Sequence, residues 1–502
     1  MINFIANTFR LLRILLILLL SGVPYSLLKL VLSNNSSRER TIREMGNQIN
    51  NFLLRSGPSF VKLGQTLSTR PDIIGESLSS SLSKLQDKVP PFNFAGVERT
   101  LEKEFKTSLD NLFKEFDKTP VAAASIAQVH KAVTFDNEPV AVKILRPNIE
   151  KKFNNDLKLF YFITEFLLFF FPHLKSFKLD QVVKTLEHSV SIETDLRIEG
   201  AAADQLRENF ANDDSVYIPQ MRWDLTSKRV LTQEWIDGIP INERQKLIKA
   251  GHNLQQIAKN LAITFFNQAY RDGFFHADIH PGNVMINSAG KIVLIDFGIM
   301  GSLEKEDRVF VAKILYGFIT RDYKAVSDIH FEMGYVPHMQ SREIFALACR
   351  SVGEPIVGMP VNKISIGKLL KQLFEISKKF DMNIQPKFLL LQKTLVTVEG
   401  TGQSLYPEVN MWQLAEPWIK DWARQNFGIK ARIKDTKANI IKFSHDLPKA
   451  VDKMLSFFDK MEKNVDTQGL KINNRPEPKT MPFSSLKIIA IFIVGISIGL
   501  MF

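Results

Sequence analysis

Residues 276–298 constrain the fold of this 502-residue chain more than any other segment. They contain the run His-Ala-Asp-Ile-His-Pro-Gly-Asn, and a strand-like stretch then leads to Asp-Phe-Gly. Asp278 stands five residues before Asn283 and eighteen before Asp296, which is the spacing of a phosphotransferase loop. Phosphoryl transfer needs a carboxylate that orients the attacking oxygen, and an amide oxygen and a second carboxylate that hold Mg²⁺. We therefore predict Asp278 as the orienting carboxylate and proton acceptor, with Asn283 and Asp296 as Mg²⁺ ligands.

A second catalytic candidate, Lys143, ends the strand-like run Val-Ala-Val-Lys. A lysine in this context contacts the α- and β-phosphates of ATP and pairs with a helical glutamate. We predict Glu199 as that partner, although it follows Lys143 by 56 residues and an insertion with a phenylalanine-rich run fills the interval. Asp195 and Glu199 are four residues apart, so a helix would place both on one face, opposite cations such as Lys143. A solvated acidic face is the alternative.

The segment expected to cover the nucleotide is rich in alanine rather than glycine. Alanine does not readily adopt the positive φ angles of glycine, so such a loop would hold the nucleotide differently from a glycine-rich one. We predict that this segment binds nucleotide together with Lys143 and with Glu234, near the end of the strand-like run 229–235. The segment consists of Val121, Ala122, Ala123, Ala124, Ser125, Ile126, Ala127, Gln128 and Val129.

The pattern along the chain predicts a small strand-rich lobe followed by a larger helical lobe. Strand-like runs at 127–133 and 140–145 flank a turn, and helical patterns dominate 180–212 and the chain after residue 301. With the motifs above, this order predicts an α+β, protein-kinase-like two-lobe fold. The predicted divisions are a membrane-associated segment (1–35), a helical extension (36–118), an N-lobe with the insertion (119–240), a C-lobe (241–425), a basic helical linker (426–485) and a C-terminal transmembrane anchor (486–502).

Two terminal segments are apolar enough to meet a membrane. Residues 486–502 carry one charge, Lys487, and as a helix would reach about 25 Å, just short of a hydrocarbon core of about 30 Å. Basic residues precede this anchor, which places the main body in the cytoplasm, and its Gly495 and Gly499 would let two anchors pack as a homodimer. The N-terminal run predicts an uncleaved interfacial or re-entrant helix, with a core helix as the alternative.

The phenylalanine-rich run at 157–171 is too short and too interrupted by polar residues to span a bilayer. We expect it to form a buried or surface-contacting helix.

Composition excludes several other classes of protein. The chain is 45% apolar and 24% charged, so it is neither disordered nor collagen-like. Its one cysteine, Cys349, allows no internal disulfide and is expected to be buried. His276 and His280 form an HxxxH pattern, but Pro-Gly follows and no third ligand is evident, so zinc is not expected. No nucleic-acid motif, flavin motif or non-haem iron ligand set accompanies the net charge of +12.

A further motif lies far upstream of the strand-rich lobe, where Lys62, Gly64 and Gln65 form KxGQ. Together with Glu193-Thr-Asp195, the alanine-rich segment and HxDxHPGN, it resembles the UbiB family of atypical kinases over about residues 40–425. The resemblance implies that Lys62 points into the active site and contacts Glu193 and Asp195. The N-terminal helices would then occlude the cleft where a protein substrate docks. A lysine so placed could be catalytic or inhibitory, and the sequence leaves both open.

The resemblance also implies a function, that of a membrane-bound ATPase or atypical kinase of ubiquinone biosynthesis that depends on ATP and Mg²⁺. It would act at the bacterial inner membrane on polyprenyl-phenol or quinone intermediates rather than on proteins. Its partners would be membrane lipids and other ubiquinone biosynthesis proteins. The alternative is a nucleotide-binding scaffold or chaperone for those enzymes. The alanine-rich segment and the lack of an Ala-Pro-Glu-like segment after Asp296 disfavour a conventional protein kinase.

Overall fold

The computed structural model describes residues 35–68, 76–82, 90–170, 179–357, 366–382 and 385–409, with isolated positions outside these ranges. All of them belong to the first of two compact units, residues 1–424. The predicted linker (426–485) and C-terminal anchor (486–502) lie outside the described residues, as does most of the predicted N-terminal segment. Within the described part of the chain, no helix combines the length and the apolar character that a membrane crossing requires.

Helices precede, interrupt and follow the strands of the described chain. The helices are α1 (Asn35–Ser56), α2 (Pro58–Ser68), α3 (Glu76–Leu82), α4 (Phe94–Phe105), α5 (Leu109–Leu112), α6 (Ile149–Phe170), α7 (Leu179–Glu193), α8 (Leu196–Asn209), α9 (Arg244–Lys249), α10 (Leu254–Phe266), α11 (Lys305–Thr320), α12 (Tyr323–Glu332), α13 (Arg342–Val357), α14 (Ile366–Lys379) and α15 (Pro386–Leu405). The strands are β1 (Glu115–Phe116), β2 (Ala122–Ala123), β3 (Ala127–Val133), β4 (Pro139–Leu145), β5 (Val216–Tyr217), β6 (Val230–Glu234), β7 (Gly238–Pro240), β8 (Phe274–His276), β9 (Val284–Asn287), β10 (Ile292–Leu294) and β11 (Met300–Ser302).

An antiparallel sheet in the order β1-β3-β4-β6, with β2 paired to β3, forms the smaller lobe. The predicted hairpin is present, and its register pairs Val129 with Lys143. On the next strand Lys143 pairs with Leu231, so the lysine lies in the middle of the sheet. Because side chains alternate between the faces of a strand, Val142 and Ile144 point the other way. They are fully buried in an apolar cluster with residues of α4, and that core fixes the face on which Lys143 emerges.

The helical extension packs on the insertion that separates β4 from α8. Gly57 separates α1 from α2, and its φ of +113° is a backbone conformation that favours glycine. Helix α2 then packs against α6 and α7 of the insertion. The Ser59 hydroxyl donates a hydrogen bond to Asp156 Oδ2 at 2.5 Å, and the Phe60 and Phe160 rings meet edge to face at 5.0 Å. The extension is therefore fastened to the insertion helices by a buried polar contact and an aromatic one.

The larger lobe holds a second sheet in the order β5-β10-β9-β7 and a two-stranded ladder of β8 with β11. In that ladder His276 pairs with Met300, so the segments on either side of residues 277–299 run side by side. Helix α10 continues into a π-helical turn, Asn267–Asp272, that ends at Gly273, which has φ +70°. Cys349 is fully buried in this lobe, as the sequence predicts.

Candidate active site

Lys143 lies between two carboxylates that come from distant parts of the chain. Its Nζ is 2.6 Å from Glu199 Oε1, in the first turn of α8, and 3.2 Å from Asp296 Oδ2, just after β10. Burial opposes the lysine's charge, but Asp296 and Glu199 outweigh it and raise the pKa of Lys143 above its usual range. The lysine therefore stays charged at every physiological pH, and the structure contains the predicted pair with Glu199.

Lys143, Glu199 and Asp296 form a charged triad, and Asp296 is its most exposed member. Its side chain is 44% exposed, whereas those of Lys143 and Glu199 are 17% and 8% exposed. Burial of the carboxyl would raise its pKa, but Lys143 and the Gly298 N–H, which donates to Oδ1 at 3.0 Å, lower the pKa of Asp296 to about 2. An ionised carboxylate with solvent access can accept a further cation.

The loop between β8 and β9 holds the two other predicted residues together. The Asn283 amide nitrogen donates to the Asp278 backbone carbonyl at 3.1 Å and to its Oδ2 at 3.4 Å. The Asp278 N–H donates to His276 Nδ1 at 3.1 Å, and burial lowers the pKa of His276, so its ring is a neutral acceptor. Hydrogen bonds within a few residues thus fix the orientation of Asp278.

Backbone contacts place this loop beside Asp296. The Ile295 N–H donates to the Asn283 carbonyl at 3.2 Å, so the residue before Asp296 is held against Asn283. Asn283 uses its amide nitrogen within the loop, and the structure shows no hydrogen bond to its Oδ1 from the described residues. An amide oxygen and an ionised carboxylate are hard donors of the kind that Mg²⁺ prefers. The residues present therefore fit the predicted metal.

Two buried polar side chains that sequence reasoning missed support the loop from behind. Thr394 of α15 donates its hydroxyl to the Ala277 carbonyl at 3.1 Å. Gln268, in the π-helical turn, accepts the His276 N–H at 2.8 Å. A polar residue at a core position of an apolar helix is the signal that could have identified them, since such groups need a hydrogen-bond partner.

The alanine-rich segment forms a hairpin rather than a loop that requires glycine. Val121 N–H donates to the Val129 carbonyl and Ala124 N–H to the Ala127 carbonyl, both at 2.8 Å. No residue from 121 to 129 has a positive φ, so the hairpin forms without the conformations that alanine avoids. The Arg146 guanidinium donates to the Ala124 carbonyl at 2.8 Å and fixes the tip of the hairpin to the end of β4.

Two residues predicted to bind nucleotide use their side chains elsewhere. Gln128 is buried, accepts the Phe92 N–H at 2.9 Å and contacts His130, so its side chain ties β3 to the segment before α4. The Glu234 carboxylate accepts the Tyr217 hydroxyl at 2.7 Å and the Gln220 N–H at 3.2 Å. Because Tyr217 belongs to β5, Glu234 links the sheets of the two lobes. Only the backbones of Gln128 and Glu234 remain candidates for nucleotide contacts.

Of the two contacts expected for Lys62 of the KxGQ motif, the structure contains the one with Glu193. Lys62 Nζ lies 2.6 Å from Glu193 Oε1, and both side chains are less than a tenth exposed. The expected contact with Asp195 was wrong, because Arg197 holds that carboxylate through Nε at 2.9 Å and Nη2 at 2.6 Å. Arg197 also lowers the pKa of Asp195.

Asp195 also departs from the expected helical face. Helix α8 begins at Leu196, and Asp195 is its N-cap, accepting the Arg197 N–H at 3.3 Å. Asp195 and Glu199 therefore do not share a helical face, and each has its own cation, Arg197 and Lys143 respectively.

Gly64 of the upstream motif is a packing residue. A Cβ built at this position would lie 2.6 Å from a methyl carbon of Leu53 and 2.6 Å from one of Leu85. Real Cβ atoms do not approach other atoms so closely, so a larger residue here would force the side chains of Leu53 and Leu85 to shift within their buried surroundings. Gln65, the next residue of α2, is half-buried, and its carbonyl accepts the Ser68 hydroxyl at 2.7 Å.

Comparison with known proteins agrees with this architecture. Residues 84–330 match the ABC1 atypical kinase-like domain, and residues 349–410 match the UbiB helical domain. A solved structure from Mycobacterium tuberculosis, that of Rv3197 with erythromycin, superposes with a TM-score of 0.51 at 26% identity. The match covers 70% of this chain and 90% of the other.

Curated relatives match most of the chain, and each is named "Probable protein kinase UbiB". That of Marinobacter nauticus is 40% identical over 413 residues, covering 81% of this chain and 76% of the relative. Those of Azotobacter vinelandii and Vibrio atlanticus are each 37% identical, covering 78% and 81% of this chain and 73% and 76% of the relatives. With a protein-kinase-like fold of mixed helix and sheet and matches of this extent, the chain belongs to the UbiB family of ABC1 atypical kinases.

Proposed function

We propose that this protein is an ATP-dependent phosphotransferase, turning over as an ATPase or as a kinase of a small lipid-like acceptor, in ubiquinone biosynthesis. The observation that carries the proposal is the position of Lys143, which bridges Glu199 and Asp296 across elements from both lobes. A solvated acidic face would not bury a lysine between two carboxylates. The names of the relatives support a kinase-type activity.

Each residue of the site would have a separate role in phosphoryl transfer. Lys143, held in one position by Glu199, would contact the α- and β-phosphates of ATP. Asp296 and Asn283 would hold Mg²⁺, which when bound neutralises charge on the phosphates. Asp278, fixed by Asn283 and by its N–H bond to His276, would orient the hydroxyl or water that attacks and accept its proton. The alanine-rich hairpin would cover the nucleotide with its backbone.

We further propose that the phosphoryl acceptor is a lipid-like molecule at the bacterial inner membrane rather than a protein. The helical extension packs against α6 and α7, and its Lys62 pairs with Glu193, six residues before Glu199. A segment bound so near the triad leaves less room for a polypeptide substrate. The apolar terminal segments of the sequence would hold the body at the membrane surface, close to polyprenyl-phenol intermediates and to the enzymes that modify them.

ATP hydrolysis by the purified full chain tests this function. Turnover would be measured with Mg²⁺, with and without phosphatidylglycerol vesicles and a soluble phenol that mimics the quinone head group. We expect Asp296→Asn to abolish turnover, and Asp214→Asn, at a fully exposed carboxylate, to leave it intact. If nucleotide binds but no condition gives turnover, the enzymatic proposal fails and the scaffold alternative replaces it.

A further inference from the structure

Helix α6 of the insertion carries aromatic residues on two opposite faces. Its inner face is buried, where Phe153, Leu157 and Phe160 join the core of the lobe. The outer face of its second half carries four phenylalanines that are between 51% and 79% exposed. This phenylalanine stripe consists of Phe162, Phe166, Phe169 and Phe170. Exposed apolar patches of this kind mark sites of interaction in soluble domains.

The stripe is continuous. Phe166 follows Phe162 by four residues, and Phe169 and Phe170 follow Phe166 by three and four, so all four lie on one side of the helix within an arc of about 100°. The Phe166 and Phe170 ring centroids are 4.6 Å apart, those of Phe169 and Phe170 5.1 Å, and those of Phe162 and Phe166 6.5 Å. From Phe162 to Phe170 the stripe follows the helix axis for about 12 Å. It is a ridge of contiguous rings rather than a groove that could receive a peptide.

The same face becomes cationic toward the start of the helix. Lys151, Asn155 and Lys158 are exposed there and continue the line of the stripe, and Lys175 is exposed beyond the end of the helix. Glu165 is the exposed carboxylate at the edge of the stripe. Lysine side chains can extend their ammonium groups to lipid headgroups while their methylenes follow apolar surface. Phenylalanines beside such lysines are the composition of a helix that lies in a membrane interface.

We propose that the phenylalanine stripe inserts into the interfacial layer of an anionic lipid bilayer, with Lys151 and Lys158 at the headgroup phosphates. A ridge of rings fits a deformable lipid surface, and the charge complements an anionic one. The chain as a whole carries +12, and its apolar ends are predicted to meet the same surface. Helix α6 lacks the sustained apolar length that a membrane crossing requires. The inference rests on the proposed function only for the presence of a membrane, and not for catalysis.

A cysteine-attached probe tests this insertion in the full chain. The native cysteine, Cys349, is buried, and burial raises the pKa of its thiol to about 12, so an introduced exposed cysteine can be labelled selectively. Phe166→Cys and, as a second site, Phe169→Cys would carry an environment-sensitive fluorophore. Met339→Cys, at a 99% exposed position of the other lobe, is the matched control. Vesicles of phosphatidylglycerol or phosphatidylcholine would contain lipids brominated on their acyl chains.

With phosphatidylglycerol vesicles we expect a blue shift and quenching by brominated lipid at positions 166 and 169, no change at 339, and a weaker effect with phosphatidylcholine. The proposal would be overturned if the protein sediments with vesicles but the fluorophore at both stripe positions keeps the emission of a water-exposed probe. A concentration-dependent blue shift without vesicles would also overturn it, and would assign the stripe to a second copy of the chain. ATP turnover of the same labelled samples separates the two proposals, because an active enzyme without insertion refutes only this one.

Discussion

Lys62 of α2 and Glu193 at the end of α7 form an ion pair of 2.6 Å in which both side chains are almost completely buried. The Ser189 hydroxyl donates to the same Glu193 oxygen at 2.9 Å. Charges removed from water are costly unless they are paired, so each partner depends on the other. The pair therefore couples the position of the extension to that of the segment Glu193-Thr-Asp195, which continues directly into α8 and Glu199.

Removing one partner of this pair should destabilise the protein. We expect Lys62→Met to lower the free energy of unfolding by about 3–5 kcal/mol, because it leaves the Glu193 carboxylate buried without its cation. The double variant Lys62→Met/Glu193→Leu should recover most of that loss. Lys184→Met, at an exposed 3.9 Å pair with Asp180, should cost less than about 0.5 kcal/mol. Denaturant unfolding measures all three, and additive effects of the two buried substitutions would contradict the coupling.

Gly64 and Gly400 are helical glycines that should respond in opposite ways to substitution by alanine. At Gly400, in α15, an added Cβ meets nothing within 4 Å, so the better helix propensity of alanine should stabilise by up to about 1 kcal/mol. At Gly64 the methyl would press on the buried Leu53 and Leu85, and overpacking of this kind costs about 1–3 kcal/mol. We expect a net loss at Gly64 in the same unfolding measurement, and equal gains at both positions would refute the close contact of α1 with α2.

His330 should make stability depend on pH. Burial lowers the pKa of this ring to about 4, against about 6.5 in the unfolded chain. Between these two values the unfolded state binds more protons, so the free energy of unfolding should fall as pH falls from 6.5 to 4. The loss should reach about 3 kcal/mol.

Substitution of the histidine isolates its contribution. The variant His330→Phe should make the dependence shallower in this pH range, and part of the remaining slope would come from His130 and His276, whose pKa values burial also lowers. His338→Phe, at an exposed site, should leave the dependence unchanged. Denaturant midpoints recorded at several pH values would show the difference. A slope in His330→Phe as steep as that of the unaltered protein would assign the titration to another group.

The parts of the site that local sequence determines were predictable. The hairpin of β3 and β4 follows from two strand-like runs that flank a turn, and it places Lys143 on the face opposite Val142 and Ile144. The loop from Asp278 to Asn283 is held by hydrogen bonds that span five residues or fewer. The pairing of Lys143 with Glu199 is more distant, and its prediction depended on the order of the motifs rather than on any local pattern.

The wrong or missed predictions concern side-chain contacts that the sequence pattern does not reveal. Asp195 was placed within a helix, but its side chain caps that helix and binds Arg197, so the helix starts one residue later than a shared face requires. Gln128 was assigned to nucleotide because its segment was, yet its side chain turns to Phe92, 36 residues upstream. Thr394 was missed because the carbonyl that it supports lies 117 residues away. Long-range packing decides the cases of Gln128 and Thr394, whereas Asp195 is decided by a local contact between residues two apart.

We propose that Lys143, held by Glu199 and Asp296, binds the phosphates of ATP. The most direct test of this proposal is the Mg²⁺-dependent ATPase rate of Lys143→Met compared with Lys131→Met. Lys131 lies on the neighbouring strand and contacts the Trp235 ring, 4.6 Å from its Nζ. We expect kcat to fall by about 10²- to 10³-fold in Lys143→Met, as it does when one electrostatic donor is removed from an active site. The Lys131 variant should keep near-normal turnover, and an undiminished rate in Lys143→Met would show that Lys143 does not bind the phosphates.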